Sequence, residues 1–231
     1  MDKEAELKFD NTIYGYSERG IINSLIFTIG ERKKELLTEF IKLIELPRKI
    51  EIGEPDNYEI LLEQSFSEFG DSDLVIIANY KNPSDKKVLF FEGKVKTEKK
   101  NWFISKQYEK YINGEKKPSS TSNLFFQLKS KELLIKYLNG IIDTDKYGLN
   151  RKLGDNEIVL KATKMINLAY QYYYIGIIPN TEVQIKDFLD KGYKGELPIK
   201  LLAWETVERF CKENNLQKVI DMFTFNKGQI Y

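Results

Sequence analysis

The chain has 231 residues, of which 42% are hydrophobic and 13% aromatic, and a formal net charge of +1. That is enough apolar material to bury a core in one large domain, and it excludes the disordered class. There is no histidine and a single cysteine, Cys211, which excludes histidine-based triads, zinc-protease helices, an internal disulfide and any cysteine-built zinc or iron–sulfur centre. Cys211 reads as a buried helix residue. Any catalysis must therefore use carboxylates, lysine, hydroxyls or a bound hard metal ion. The first ten residues, MDKEAELKFD, carry four acids and no apolar run. No stretch approaches the ~20 apolar residues that a membrane helix needs, so a cytoplasmic protein is expected.

In chain order, Ser17 is a candidate N-cap with Glu18 in the first turn of a helix. Ile21, Ile22, Leu25, Ile26 and Ile29, then Leu36, Leu37, Phe40, Ile41 and Ile44, recur at near-helical spacing up to Pro47. They predict one long helix, or two joined near Gly30. Three strands are expected over 58–66, 73–80 and 87–97, separated by Gly70–Asp71 and by Asn82–Pro83–Ser84–Asp85, links that suit an antiparallel meander. A helix over 102–112, a Gly/Lys/Pro/Ser loop around 114–122 that could act as a flap, and an amphipathic helix over 124–138 follow. The spacing then predicts a helix over 155–168, strands over 172–178 and 199–204, and closing helices over 205–214 and 216–223. The Tyr172–Tyr174 rings are expected in the core, with stacking on unpaired bases as the alternative. No internal repeat is present. The order helix, three strands, helix, strand, helix implies an α/β sandwich around a mixed sheet.

Between Lys86 and Lys117 ten lysines face four glutamates, a basic segment in a neutral protein. It reads either as a solvated helix face with a lysine-rich loop or as a nucleic-acid contact. Just ahead of it and at its start, GDSDLVII (70–77) and KKVLFFEGKVK (86–96) place Asp73 at the start of one apolar strand and Glu92–Gly93–Lys94 in the next. Strand alternation puts Val88, Phe90, Glu92, Lys94 and Lys96 on one face, and hairpin pairing carries Asp73 across from the end that bears Glu92 and Lys94. Two carboxylates set together in so apolar a strand repel each other and lose hydration, and a divalent cation compensates for both effects. Mg²⁺ requires one or two carboxylates and leaves positions for water and a phosphate oxygen. Lys94 could orient or help deprotonate that water. The bland alternative is an edge strand whose polar face carries a Glu92–Lys94 cross-strand salt bridge to Asp73.

These residues resemble the PD-(D/E)XK, or restriction-endonuclease-like, nuclease superfamily: an acid on a first helix (Glu18), an Asp opening one strand (Asp73) and Glu-x-Lys on the next (Glu92, Lys94). Gln107 and Tyr111 in QYEKY match the Gln-x-x-x-Tyr helix of RecB-like members, one helical turn placing both on one face. The resemblance covers roughly residues 17–111. Ser72 stands where a Pro precedes the Asp in the pattern, which leaves Asp71 as a rival ligand. The resemblance implies an αβββαβ core with a mixed central sheet flanked by helices, in a single domain over 1–231. The core would span about 17–180, with 181–231 as a C-terminal extension of helical additions packed on it. It implies Mg²⁺ or Mn²⁺ held by Asp73, Glu92 and the Gly93 carbonyl, with Lys94 serving the water and Glu18 and Gln107 supporting. Glu18 reads equally well as an acid complementing the helix dipole, and Gln107 with Tyr111 as an ordinary polar–aromatic helix pair. Lys96, Lys99, Lys100, Lys106 and Tyr111 would contact nucleic acid, with DNA as the expected substrate. A homodimer is a reasonable expectation if both strands of a duplex are cut at one position. The main alternative is a non-catalytic scaffold of the same fold that binds nucleic acid or a protein partner; a third is a hydrolase of small phosphoesters.

Overall fold

A computed structural model of the chain describes residues 13–30, 34–44, 54–96, 102–114, 122–141 and 152–230. The stretch 17–44 forms two helices, α1 (Ser17–Gly30) and α2 (Lys34–Lys42). Three strands follow, β1 (Asn57–Ser65), β2 (Asp71–Asn79) and β3 (Lys87–Gly93), then α3 (Ile104–Gly114), α4 (Leu124–Leu138) and α5 (Glu157–Ile166). Strand β4 (Gln171–Ile178), helix α6 (Glu182–Asp187), strand β5 (Ile199–Ala203) and helices α7 (Trp204–Glu213), α8 (Gln217–Phe225) and α9 (Lys227–Ile230) complete the described order. The expected flap falls on 115–121, outside the described residues.

The five strands form one mixed sheet in sequence order. β1, β2 and β3 run antiparallel, with Leu62 opposite Leu74 and Leu74 opposite Phe91; β3–β4 and β4–β5 are parallel, with Phe91 beside Ile175 and Ile175 beside Lys200. The sheet therefore changes from antiparallel to parallel at β3. A parallel pair requires a long crossover, and α3, α4 and α5 supply it. Every residue of β3 is buried, as are most of β2 and β4. That is why VLFF and LVII read as unbroken apolar runs rather than alternating ones.

Helices cover both faces. Leu74, Ile76, Leu89, Phe91 and Ile175 pack with α1, α2, α7 and α8 in one core. Val75, Ile77, Val88, Phe90 and Tyr174 pack with α3, α4 and α5 in the other. Tyr173 and Tyr174 are buried on opposite faces, and Tyr172 Oη donates to the Ile166 carbonyl, so these rings belong to the core as expected. Cys211 is buried on α7. The C-terminal segment adds more than helices, since β5 is the fifth strand of the sheet and Trp204, Val207, Phe210, Phe223 and Ile230 belong to the first core.

Two local expectations are corrected. Ser17 is not the residue before α1 but its first, with φ +63°, and its own amide donates to Asn226 Oδ1 at 3.0 Å. The third strand ends at Gly93 rather than at 97, because the Gly93 amide donates to the Asp73 side chain instead of to a strand carbonyl. Lys94 still donates its amide to the Ile177 carbonyl, but its own carbonyl accepts from Trp204 Nε1 at 2.8 Å, and the Lys96 amide turns to the Gln229 carbonyl. Lys94 and Lys96 therefore stand beyond the strand rather than on its face.

Phe40 lies wholly inside the first core, 6.0 Å from the Phe91 ring and 5.9 Å from the Phe210 ring. Phe40→Ala should destabilise the protein by about 3–5 kcal/mol, read as a lower urea midpoint at unchanged slope; a loss of under about 1 kcal/mol would show that α2 is not integral to that core.

Candidate active site

The antiparallel register ends with Leu74 opposite Phe91, so Asp73 and Glu92 stand just beyond the last pair, where Glu92 meets Lys131 of α4. Asp73 Oδ2 accepts from the Gly93 amide at 2.8 Å, and its Oδ1 lies 3.7 Å from Arg19 Nε on α1. Arg19 also reaches Glu63, which sits in β1 with φ +49° and accepts from Asn23 Nδ2 at 2.8 Å. Ser72 Oγ donates to the Phe91 carbonyl and fixes the same corner.

Glu92 is 1% exposed. The ammonium of Lys131, on α4 and 0% exposed, lies 3.5 Å from Glu92 Oε1 and donates to the Phe69 carbonyl at 3.2 Å. At 3.5 Å the pair attracts by charge but is too long for a well-formed hydrogen bond. Among the described residues neither Glu92 oxygen has a hydrogen-bond partner. Such a carboxylate is costly to hold in apolar surroundings.

Glu18 reaches the site from the other face of the sheet. A Cβ built on Gly93 would stand 2.8 Å from Glu18 Cβ and 3.1 Å from Ile22 Cδ1. The glycine between Glu92 and Lys94 is thus required by the close approach of α1. The structure brings together Asp73, Glu92, Gly93, Lys94 and Glu18. Their surroundings are balanced: Glu18 adds negative charge, while Arg19, Lys94 and Lys131 add positive charge. Asp71 is exposed, and its charge acts on Lys131. Among the described residues no three His, Cys, Asp or Glu side chains are gathered as a metal-holding group, so the acids at the centre are the pair Asp73 and Glu92 with Glu18 behind Gly93.

The expected outer residues are less united. Gln107 is half-buried, with its carbonyl accepting from Asn123 Nδ2, and among the described residues no hydrogen bond joins its amide group to the acids. The Tyr111 ring packs against Tyr108, Phe125 and Phe126. Lys96 is half-buried, and Lys106 is exposed with its ammonium 4.9 Å from the Phe103 ring. Lys99 and Lys100 lie outside the described residues. Part of the basic segment serves the fold: Lys86 donates to the Met165 and Asn167 carbonyls, and Lys87 is buried over the Tyr80 ring.

Sequence reasoning missed Lys131, Arg19 and Trp204. Lys131 had a signal. Leu124, Leu128 and Ile135 set the apolar phase of α4, and Lys131 occupies the position where that phase calls for another apolar residue. Arg19 and Trp204 had none, because each acts across a long sequence separation.

Burial raises the Glu92 carboxyl to about 7 and the Asp73 charge adds to the rise, while Lys131 and Lys94 oppose it. Burial also raises Asp73, against the pull of Lys94 and the Gly93 amide. A carboxyl raised on folding contributes stability that is complete below its ordinary pKa and is lost as pH rises through the folded value. The urea midpoint of the metal-free protein should therefore fall as pH increases from 4.5 through about 7, and Glu92→Gln should remove most of that fall. A variant retaining the full slope would place the titration elsewhere. No family model, curated protein or solved structure matches this chain.

Proposed function

We propose that the chain is a metal-dependent nuclease of the PD-(D/E)XK type that hydrolyses phosphodiester bonds of nucleic acid, DNA in the first place. The observation that carries this reading is the junction of Asp73 and Glu92 at the end of two adjacent strands, beside Lys94, with no well-formed hydrogen bond to either Glu92 oxygen among the described residues. The antiparallel β1–β2–β3 meander followed by a parallel β4, with helices on both faces, is compatible with the core that the sequence resemblance implies.

The donors present fit a hard cation. Asp73 and Glu92 offer carboxylate oxygens and Gly93 a carbonyl, and Mg²⁺ needs one or two carboxylates with water in its remaining positions. Such an ion supplies a more acidic bound water and neutralises charge that builds on the phosphate. The chain's own residues have separate tasks. Asp73, held by the Gly93 amide, keeps one carboxylate oxygen fixed at the strand end. Lys94 lies beyond the strand, half-buried, with both its backbone groups tied down by Ile177 and Trp204. A lysine so anchored can present its ammonium to a water or a phosphate oxygen. Glu18 and Arg19 set the charge around Asp73.

A second reading has its own support. Three cations of the chain, Arg19, Lys94 and Lys131, already balance Asp73, Glu92 and Glu18, and a self-neutralised centre is what a non-catalytic scaffold that binds nucleic acid or a protein would keep.

Cleavage of single- and double-stranded DNA and RNA with Mg²⁺ or Mn²⁺ separates the two. Native protein should cut with metal, and Asp73→Ala and Glu92→Ala should each lose at least about 100-fold. Folded native protein that binds nucleic acid without cutting it, in metal or out of it, would establish the scaffold instead. Lys94→Ala should abolish cutting yet retain Mn²⁺ binding in calorimetry, because an ammonium is not a ligand; loss of Mn²⁺ affinity in that variant would overturn the role given to Lys94.

A further inference from the structure

Lys131 belongs to the site, yet the cleavage chemistry does not use it. Its ammonium is wholly buried between α4 and the sheet and cannot reach a phosphate in solvent. It has three N–H donors, one of them used by the Phe69 carbonyl, and its ion-pair partner is Glu92 Oε1 at 3.5 Å. Gly70, with φ +77°, backs onto it, and a Cβ there would lie 3.6 Å from Nζ. A buried ammonium is costly unless an anion balances it, and the charges that favour it come from Glu92 first, then from Asp71 and Asp73.

Resting on the reading that Asp73 and Glu92 are metal ligands, we propose that Lys131 is a resident counter-cation for Glu92, placed to compete with a divalent ion for that carboxylate and to keep the ion's affinity low. The sign follows from charge. Without a divalent ion, Lys131 and Glu92 attract. Once a doubly charged ion engages Glu92, the carboxylate and ion together carry net positive charge, and the fixed ammonium is repelled. A neutral side chain at 131 leaves Glu92 uncompensated until the ion arrives and removes the repulsion afterwards, so both effects tighten binding. A lysine that only filled space would leave ion affinity unchanged, and one that helped the ion by orienting Glu92 would weaken it when removed. In the wild type a nucleic-acid phosphate brings the negative charge that offsets the ammonium, so ion and substrate favour each other's binding. Lys131 thus acts by its charge on Glu92 and the ion, without touching the substrate.

The test is a Mn²⁺ titration of the whole chain by calorimetry, with urea unfolding in the presence and absence of Mn²⁺, wild type and variants being compared in the same buffer. Lys131→Met should bind Mn²⁺ about tenfold or more tightly than wild type, and its unfolding midpoint should rise more on adding Mn²⁺ than the wild-type midpoint does. Glu92→Gln should abolish the difference. If Lys131→Met folds only when Mn²⁺ is present, that dependence supports the proposal, and Lys131→Gln repeats the comparison with a shorter neutral side chain. Unchanged or weaker Mn²⁺ binding in the variants overturns it, as does failure of both wild type and variants to bind Mn²⁺ at all. The cleavage panel reports separately: tighter Mn²⁺ binding without cutting would retire the nuclease and keep the role of Lys131, and cutting with unchanged affinity would do the reverse.

Discussion

A strand covered on both faces has no solvent side on which to put a charge, and β3 is such a strand along its whole described length. Glu92 stands inside it, so the surrounding architecture must answer an ionisable group with further ionisable groups. Lys131 on α4 answers from one side, and Asp73, Lys94 and the first turn of α1 gather at the strand end. Each partner comes from a different element, and the polar corner acts as a common reference point for α1, β2, β3 and α4. Ion pairs of this kind stabilise little by themselves, since the desolvation of both charges offsets their attraction. Their presence in an otherwise apolar layer is the feature from which the proposed function is argued.

The change from antiparallel to parallel pairing at β3 positions that corner. On the antiparallel side a short link brings β2 back with Asp73 at its beginning, opposite the end of β3. On the parallel side β4 runs alongside, and its Ile177 carbonyl catches the Lys94 amide after the strand has formally ended. The two directions of pairing thus close on the same few residues from opposite sides. Glycine at 93 lets α1 approach within contact of the chain at that point.

Much of the fold was legible because its signals are local. Apolar runs bounded by turn residues located all five strands to within a few residues, and α4 was read with its bounds correct from the helical spacing of its apolar residues between Leu124 and Leu138. The convergence of Asp73 with Glu92 followed from strand alternation and a short link. What escaped was non-local. The early end of β3 depends on a side chain twenty residues away taking the Gly93 amide, and the partner of Glu92 lies on a helix whose distance from β3 in sequence conceals their contact. The lysine surplus between 86 and 117 misled in part, because composition cannot distinguish Lys86, which satisfies carbonyls at the end of α5, from Lys106, which faces solvent.

The hydrogen bonds from Trp204 Nε1 to Lys94, from the Lys96 amide to Gln229 and from the Ser17 amide to Asn226 join positions 110 to 209 residues apart. During synthesis on the ribosome, the loop that carries Lys94 and the entry to α1 therefore lack their anchors until the residues around 204–229 have emerged. The corner of the sheet is finished only when the last helices dock, so a nascent chain holding every acidic residue of the site would still be without the scaffold that aims them.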